Sequence, residues 1–206
     1  MGNNKSVPDL VIDGDVINAM CSDNPDVKCI LIEPEDVIEI QIKSTVKGDD
    51  LNNVCKIIRI TLNLRRLIMP KILLIAQSLN KVLDAILERR WYATPIRYID
   101  LSASIDVDAA AARKLRRILE NPGVRNLVLK DCDMNAEALS EIFEGYRTGG
   151  IGRELDVSGY ELSPKIVLYN QDVLFCGQVK WTRWMGKGTG SGEALELNNF
   201  PPAYEN

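Results

Sequence analysis

The sequence predicts an α/β fold: a short, irregular array in which strands and helices alternate, with a flexible tail at each end. Three observations predict it. The chain has 206 residues, 46% apolar and 26% charged, which suffices for one compact core and lies outside the range of disordered chains. From residue 96 onward, the stretches IRYIDLSASIDVD, VRNLVLKDCDMNA and GRELDVSGYELSP align so that Leu101, Leu129 and Val157 share a column with a spacing of 28 residues. The first two cores are followed by helix-like stretches, DAAAARKLRRILENPG and NAEALSEIFEGY, and these repeat too, since Leu115 and Phe143 are 28 apart.

The middle unit runs Val124-x-x-Leu127-x-Leu129-x-x-Cys132-x-Met134. Over residues 96–162 this pattern resembles the long, ribonuclease-inhibitor-type leucine-rich repeat. The resemblance implies parallel strands centred near Ile99, Leu127 and Leu155, helices on one side, and Cys132 inside a turn, bonded to backbone. No single 28-residue strand–helix unit can bury its own apolar face, so neighbours must stack. The outer units are degenerate, with Ser104 and Tyr160 where Asn or Cys is expected. A second resemblance, to the strand–loop–helix of STAS domains, rests on the stretch from Ile96 to Cys132 and implies nucleotide binding near Ser102–Asp108. Both resemblances imply alternating β and α.

The elements follow in order. Residues 1–9 are polar and extended. The break Glu33-Pro34-Glu35-Asp36 separates an apolar run, CILI, from VIEIQI, which alternates as a strand does. GDDLNN is expected to turn and CKIIRITLNL to form a strand. Residues 68–90 are expected to be helical, apolar at Leu73, Leu74, Ile75, Leu79, Val82, Leu83 and Ile86, with Pro70 near the first turn. Ile32 and Ile60 are also 28 apart, but Ile60 to Leu101 is 41, so the array is irregular upstream. One α/β domain thus spans residues 10–185, and GKGTGSG opens a Gly/Ser linker and tail over 186–206.

Composition narrows the function. The chain has no histidine, which removes Ser-His-Asp and Cys-His constellations and histidine-ligated metal sites. Five scattered cysteines form no C-x-x-C pair, so no zinc site is expected, and they fit a reducing cytosol. A net charge of −4 argues against a nucleic-acid partner and against attachment to acidic lipid by overall charge alone. The apolar stretch LIMPKILLIAQSL is too short and too interrupted to span a bilayer. Acidic pairs such as Asp13/Asp15, Asp106/Asp108 and Asp131/Asp133 are read as turn and cap residues. No catalytic residue, metal or cofactor is expected, and the chain is read as a non-enzyme.

Both ends carry short signals. Gly2 with Ser6 fits M-G-x-x-x-[ST], the pattern for N-myristoylation. Pro201-Pro202-Ala203-Tyr204 fits P-P-x-Y, in which Pro201 and Pro202 pre-set a polyproline-II ligand and Tyr204 fills a pocket of a WW domain. One myristoyl chain binds only marginally, on the order of 10⁴ M⁻¹, so a second contact is needed. In KWTRWMGKG, Trp181 and Trp184 interleave with Lys180, Arg183 and Lys187, a composition that suits a membrane interface or, alternatively, the capped end of the core.

WW domains of this specificity occur in HECT-type ubiquitin ligases, which implies local ubiquitination and ESCRT recruitment. A lipidated start with a C-terminal P-P-x-Y resembles late-domain viral matrix proteins, among them the arenavirus Z family. The departure is that Z proteins carry a zinc RING, for which this chain lacks the Cys/His set. Two expectations stand: an adaptor on the cytoplasmic face of a membrane, or a matrix protein that self-associates under it and drives budding.

Overall fold

The computed structural model describes residues 37–42, 49–70, 76–104, 107–150, 152–176 and 178–183. Among these residues six strands form one sheet in chain order: β1 (Glu39–Gln41), β2 (Arg66–Ile68), β3 (Tyr98–Asp100), β4 (Asn126–Val128), β5 (Glu154–Leu162) and β6 (Val179–Arg183). Every pairing is parallel. The crossovers hold α1 (Asp49–Ile60), α2 (Ala76–Leu87), α3 (Ala109–Glu120) and α4 (Ala136–Thr148), and two short helices, α5 (Pro164–Tyr169) and α6 (Gln171–Leu174), lead into β6. Right-handed crossovers in a sheet that always grows in one direction place all helices on one face. Accordingly α1 packs on α2, α2 on α3, and α3 on α4. Neighbour-on-neighbour stacking of strand–helix units is the architecture that the repeat pattern implies, and it stands in place of the STAS-like alternative.

The core is built by the repeat columns. Register sets Ile40, Leu67, Ile99, Leu127 and Leu155 side by side, all buried. Two residues on, Ile42, Met69, Leu101, Leu129 and Val157 form a second buried row. Leu115 and Phe143 are fully buried in α3 and α4, as their spacing predicts. Asp108 and Asn135 cap these helices, accepting hydrogen bonds from the amides of Ala111 (2.7 Å) and Ala138 (2.8 Å). After each of β3 and β4, and within β5, one residue of a single column takes the left-handed conformation: Ala103 (φ 55°), Asp131 (φ 55°) and Gly159 (φ 87°). Beside that turn, the Cys132 thiol donates to the Leu101 carbonyl at 3.4 Å, and the Ser104 hydroxyl reaches the same carbonyl at 2.6 Å. Serine therefore does the backbone-bonding work expected of the Asn or Cys it replaces. Burial raises the Cys132 thiol to about 11, which marks it as structural.

Upstream, three expectations are corrected. CKIIRITLNL does not form a strand; its first half belongs to α1, which also takes in Asp49-Asp50-Leu51-Asn52-Asn53 of the expected turn. Leu51, Val54, Cys55 and Ile58 recur at i, i+3, i+4 and i+7 and are buried, so helical periodicity outweighs the local alternation. Residues 68–90 are not one helix, because Arg66–Ile68 pairs in the sheet and α2 begins only at Ala76. Leu79, Val82 and Leu83 are buried in α2 as expected, while Leu73, Leu74 and Ile75 lie outside the described residues. The column through Ile32 and Ile60 is not a strand register, since Ile60 ends α1 and Ile32 lies outside the described residues. The true column runs through Ile40 and Leu67, so the array continues upstream of residue 96 with uneven spacing.

Candidate interaction surface

Successive strand residues point to opposite faces, so the residues between the buried columns lie on the sheet face away from the helices. Register assembles them into two rows. The first runs Glu39, Arg66, Tyr98, Asn126, Glu154; the second runs Gln41, Ile68, Asp100, Val128, Asp156, Lys180. No described helix covers this face.

The first row is linked crosswise. The Arg66 guanidinium lies 3.3 Å from the Glu39 carboxylate and 5.1 Å from the centre of the Tyr98 ring. Asn126 donates to the Glu154 carboxylate at 2.7 Å. Burial, then the neighbouring Asp100 charge, raises the Tyr98 hydroxyl above its usual range, so Tyr98 serves as a neutral hydrogen-bonding ring. In the second row Asp100 and Asp156 make the same turn: each Oδ1 accepts from the backbone amide and the hydroxyl of Ser102 or Ser158, at 2.5–3.0 Å. The two aspartates are held two strands apart with Val128 between them.

Between β3 and β6 the face dips into a depression of about 160 Å³, lined among others by Tyr98, Asn126, Val128, Glu154, Asp156 and Lys180. That is below the roughly 300–1,000 Å³ usual for small-molecule sites, and it suits one inserted side chain better than a cofactor. The surface offers one aromatic ring, two amides and charges of both signs, the equipment of a protein-contact surface. Among the described residues no group of three or more Cys, Asp or Glu is placed to hold a metal ion.

The residues singled out by sequence are distributed differently. Trp181 is half-buried in β6, packed on the core and edge-to-face with Phe175 at 5.9 Å. Lys180 is exposed and stands on the sheet face in register with Asp156. The backbone of Arg183 closes β6. Trp184 and Lys187, together with Gly2, Pro201, Pro202 and Tyr204, lie outside the described residues. Sequence inspection passed over Tyr98, Asn126, Glu154 and Asp156. Their signal was available: they flank Ile99, Leu127 and Leu155 in the non-apolar slots of the repeat. No described helix is long and apolar enough to cross a membrane. No family model matches the chain, and no curated protein sequence matches it.

Proposed function

We propose that this chain is a non-enzymatic adaptor held on the cytoplasmic face of a membrane, with a protein client on its sheet face and a WW-domain ligand in its tail. The observation that carries the reading is the sheet face, where six strands in chain order present two rows of mixed polar, charged and aromatic side chains that no described helix covers. The end signals supply the other two parts. Myristate on Gly2 gives marginal attachment. Pro201, Pro202 and Tyr204 engage a WW domain, as found in HECT-type ubiquitin ligases, and membrane attachment raises the effective concentration of that weak ligand. Self-association under the membrane, as in a matrix protein, is the competing outcome.

One experiment separates the parts. A photo-crosslinking residue at Val128 is compared in cells with one at Arg113, an exposed position on α3, in wild type, Gly2→Ala and Tyr204→Ala backgrounds. The adaptor reading expects a discrete adduct from position 128 only, loss of membrane flotation in Gly2→Ala, and loss of isolated WW-domain binding in Tyr204→Ala. Adducts made only with further copies of the chain transfer the reading to a matrix protein. Equal WW-domain binding by wild type and Tyr204→Ala removes the ligase arm.

A further inference from the structure

All strands start at one rim of the array, and because each helix runs back to the next strand, the helices end there too. Four consecutive units carry arginine one residue before the strand or at the matching place: Arg65, Arg97, Arg125 and Arg153. Register makes them neighbours, with the Arg97 amide bonded to the Arg65 carbonyl at 2.8 Å and the Arg125 amide to the Arg97 carbonyl at 2.9 Å. Adjacent strands are about 4.8 Å apart, so three guanidiniums spread along a rim about 10 Å long.

Stability accounts for only one of the four. Arg153 is buried and binds the carbonyls of Leu119 and Asn121 (3.1 Å for the latter), closing the C-terminus of α3. Arg65, Arg97 and Arg125 are exposed and make no side-chain hydrogen bond or ion pair with the described residues. Among the described residues, few acids at this rim are left to offset them. Glu88 is taken by Arg59 at 2.7 Å and Glu120 by Arg116 at 3.0 Å, while Glu154 keeps its charge on the sheet face, hydrogen-bonded to Asn126.

The same rim carries an aromatic insertion. Connections into β2, β4 and β5 span 61–65, 121–125 and 149–153, whereas the connection into β3 spans 88–97, twice as long. The additional residues include Arg90-Trp91-Tyr92. Trp91 is 94% exposed, Tyr92 is 52% exposed, and their rings meet edge-to-face at 5.5 Å. Arg90 stacks over Tyr92 at 5.7 Å, and Arg117 joins Trp91 around a hollow of about 200 Å³. Ile60, at the end of α1, adds a half-exposed apolar side chain. Cations in the last turns of helices, such as Arg117, are also explained by the helix dipole. That explanation covers neither the strand-start arginines nor an almost fully exposed tryptophan. After β4, on the opposite rim, Asp131, Asp133 and Glu137 are exposed beside Lys130.

We propose that the strand-start rim lies against an anionic lipid surface, with Trp91 and Tyr92 in the headgroup interface and Arg65, Arg97 and Arg125 over the lipid phosphates and carboxylates. Tryptophan, tyrosine and arginine together are the composition of membrane interfaces. A projecting ring beside a row of cations that have no partner among the described residues fits a plane better than a cleft. The chain's net charge of −4 is no obstacle, because screening within about 10 Å lets the local rim act against the whole. The inference rests on the membrane attachment proposed above and supplies the second contact that one myristoyl chain requires.

The test uses the full chain made without acylation, floated with vesicles of phosphatidylcholine plus phosphatidylserine or of phosphatidylcholine alone. Binding is expected only to the anionic vesicles and is expected to weaken with added salt. Each of Arg65→Gln, Arg97→Gln and Arg125→Gln should weaken it about fivefold, and the three together about a hundredfold. Trp91→Ala should weaken binding with the circular dichroism melt unchanged, and the tryptophan emission shift on binding should vanish in Trp91→Phe. Equal flotation with neutral vesicles, equal flotation of the triple variant, or rim-dependent binding of polyglutamate without vesicle binding overturns the proposal. Failure of acylation at Gly2 leaves this assay untouched, because the protein tested carries no lipid.

Discussion

On the helix layer, charges meet across neighbouring units: Arg59 with Glu88 at 2.7 Å, Lys114 with Asp84 at 2.8 Å, Arg116 with Glu141 at 3.1 Å and Arg147 with Asp172 at 2.7 Å. On the strand-start rim, Arg65, Arg97 and Arg125 meet no carboxylate among the described residues. Cations stand in both regions, partly buried in most of the helix-layer pairs and exposed at the rim; the main difference is partnership. In the helix layer a charged side chain reinforces the stacking of one unit on the next, so its removal should register in folding. At the rim an arginine adds nothing to that stacking, so its removal should register only in what the rim binds.

The largest effect should come from beneath the helix layer. Phe143→Ala removes a fully buried ring and should destabilise by about 3–5 kcal/mol in denaturant unfolding. A loss below about 1 kcal/mol would mean that the α3–α4 packing is looser than its burial implies. Gly145→Ala sharpens the same point. Alanine is the better helix former by about 1 kcal/mol, but its Cβ would stand 2.7 Å from the Arg116 Cα, so α3 and α4 must separate. A net loss of about 1–2 kcal/mol is expected. A raised melting temperature would show that the helices part at little cost.

Next in size is the cap. Asp108→Ala should cost about 1 kcal/mol, because the Ala111 amide loses its acceptor. That hydrogen bond is the main cause that holds the Asp108 carboxyl below its ordinary value. A carboxylate depressed in the folded state contributes fully above the unfolded value near 3.9 and loses that contribution as pH falls below it. The gap between wild type and Asp108→Ala should therefore narrow in acid, and a gap that persists at pH 2 would assign the effect to packing.

The ion pairs near the surface come last among the stabilising features. A double-mutant cycle on Lys114 and Asp84 should give about 0.2–1 kcal/mol, reduced by salt. Arg97→Gln on the rim should stay within about 0.5 kcal/mol of wild type. If Arg97→Gln costs as much as breaking Lys114–Asp84, the contrast between the two regions fails and the rim arginine is a structural residue.

The sequence alone determined the regular part of the fold. Leu101, Leu129 and Val157, with Leu115 and Phe143, repeat at a fixed spacing because each unit must offer its neighbour the same apolar face, and that demand is written locally. It failed for α1, because CKIIRITLNL alternates as a strand does from Ile58 to Leu64, and only burial of Leu51, Val54, Cys55 and Ile58 on one side selects the helix. It also left the interaction surface hidden. Glu39, Arg66 and Tyr98 are 27 and 32 residues apart in the chain and become neighbours only through strand register. Tertiary structure likewise decided the fates of identical residues in one column. Arg153 turns inward because the open carbonyls at the end of α3 lie within its reach, whereas the corresponding guanidinium of Arg97 finds no such acceptor and stays in solvent. At the place within reach of Arg97, Arg89 already occupies the carbonyls of Thr61 and Thr94, both at 2.8 Å, and burial there lowers its pKa to about 10. A periodic sequence can specify that an arginine stands before each strand. Whether that arginine closes a helix or faces a partner depends on which carbonyls the folded chain has left unpaired beside it.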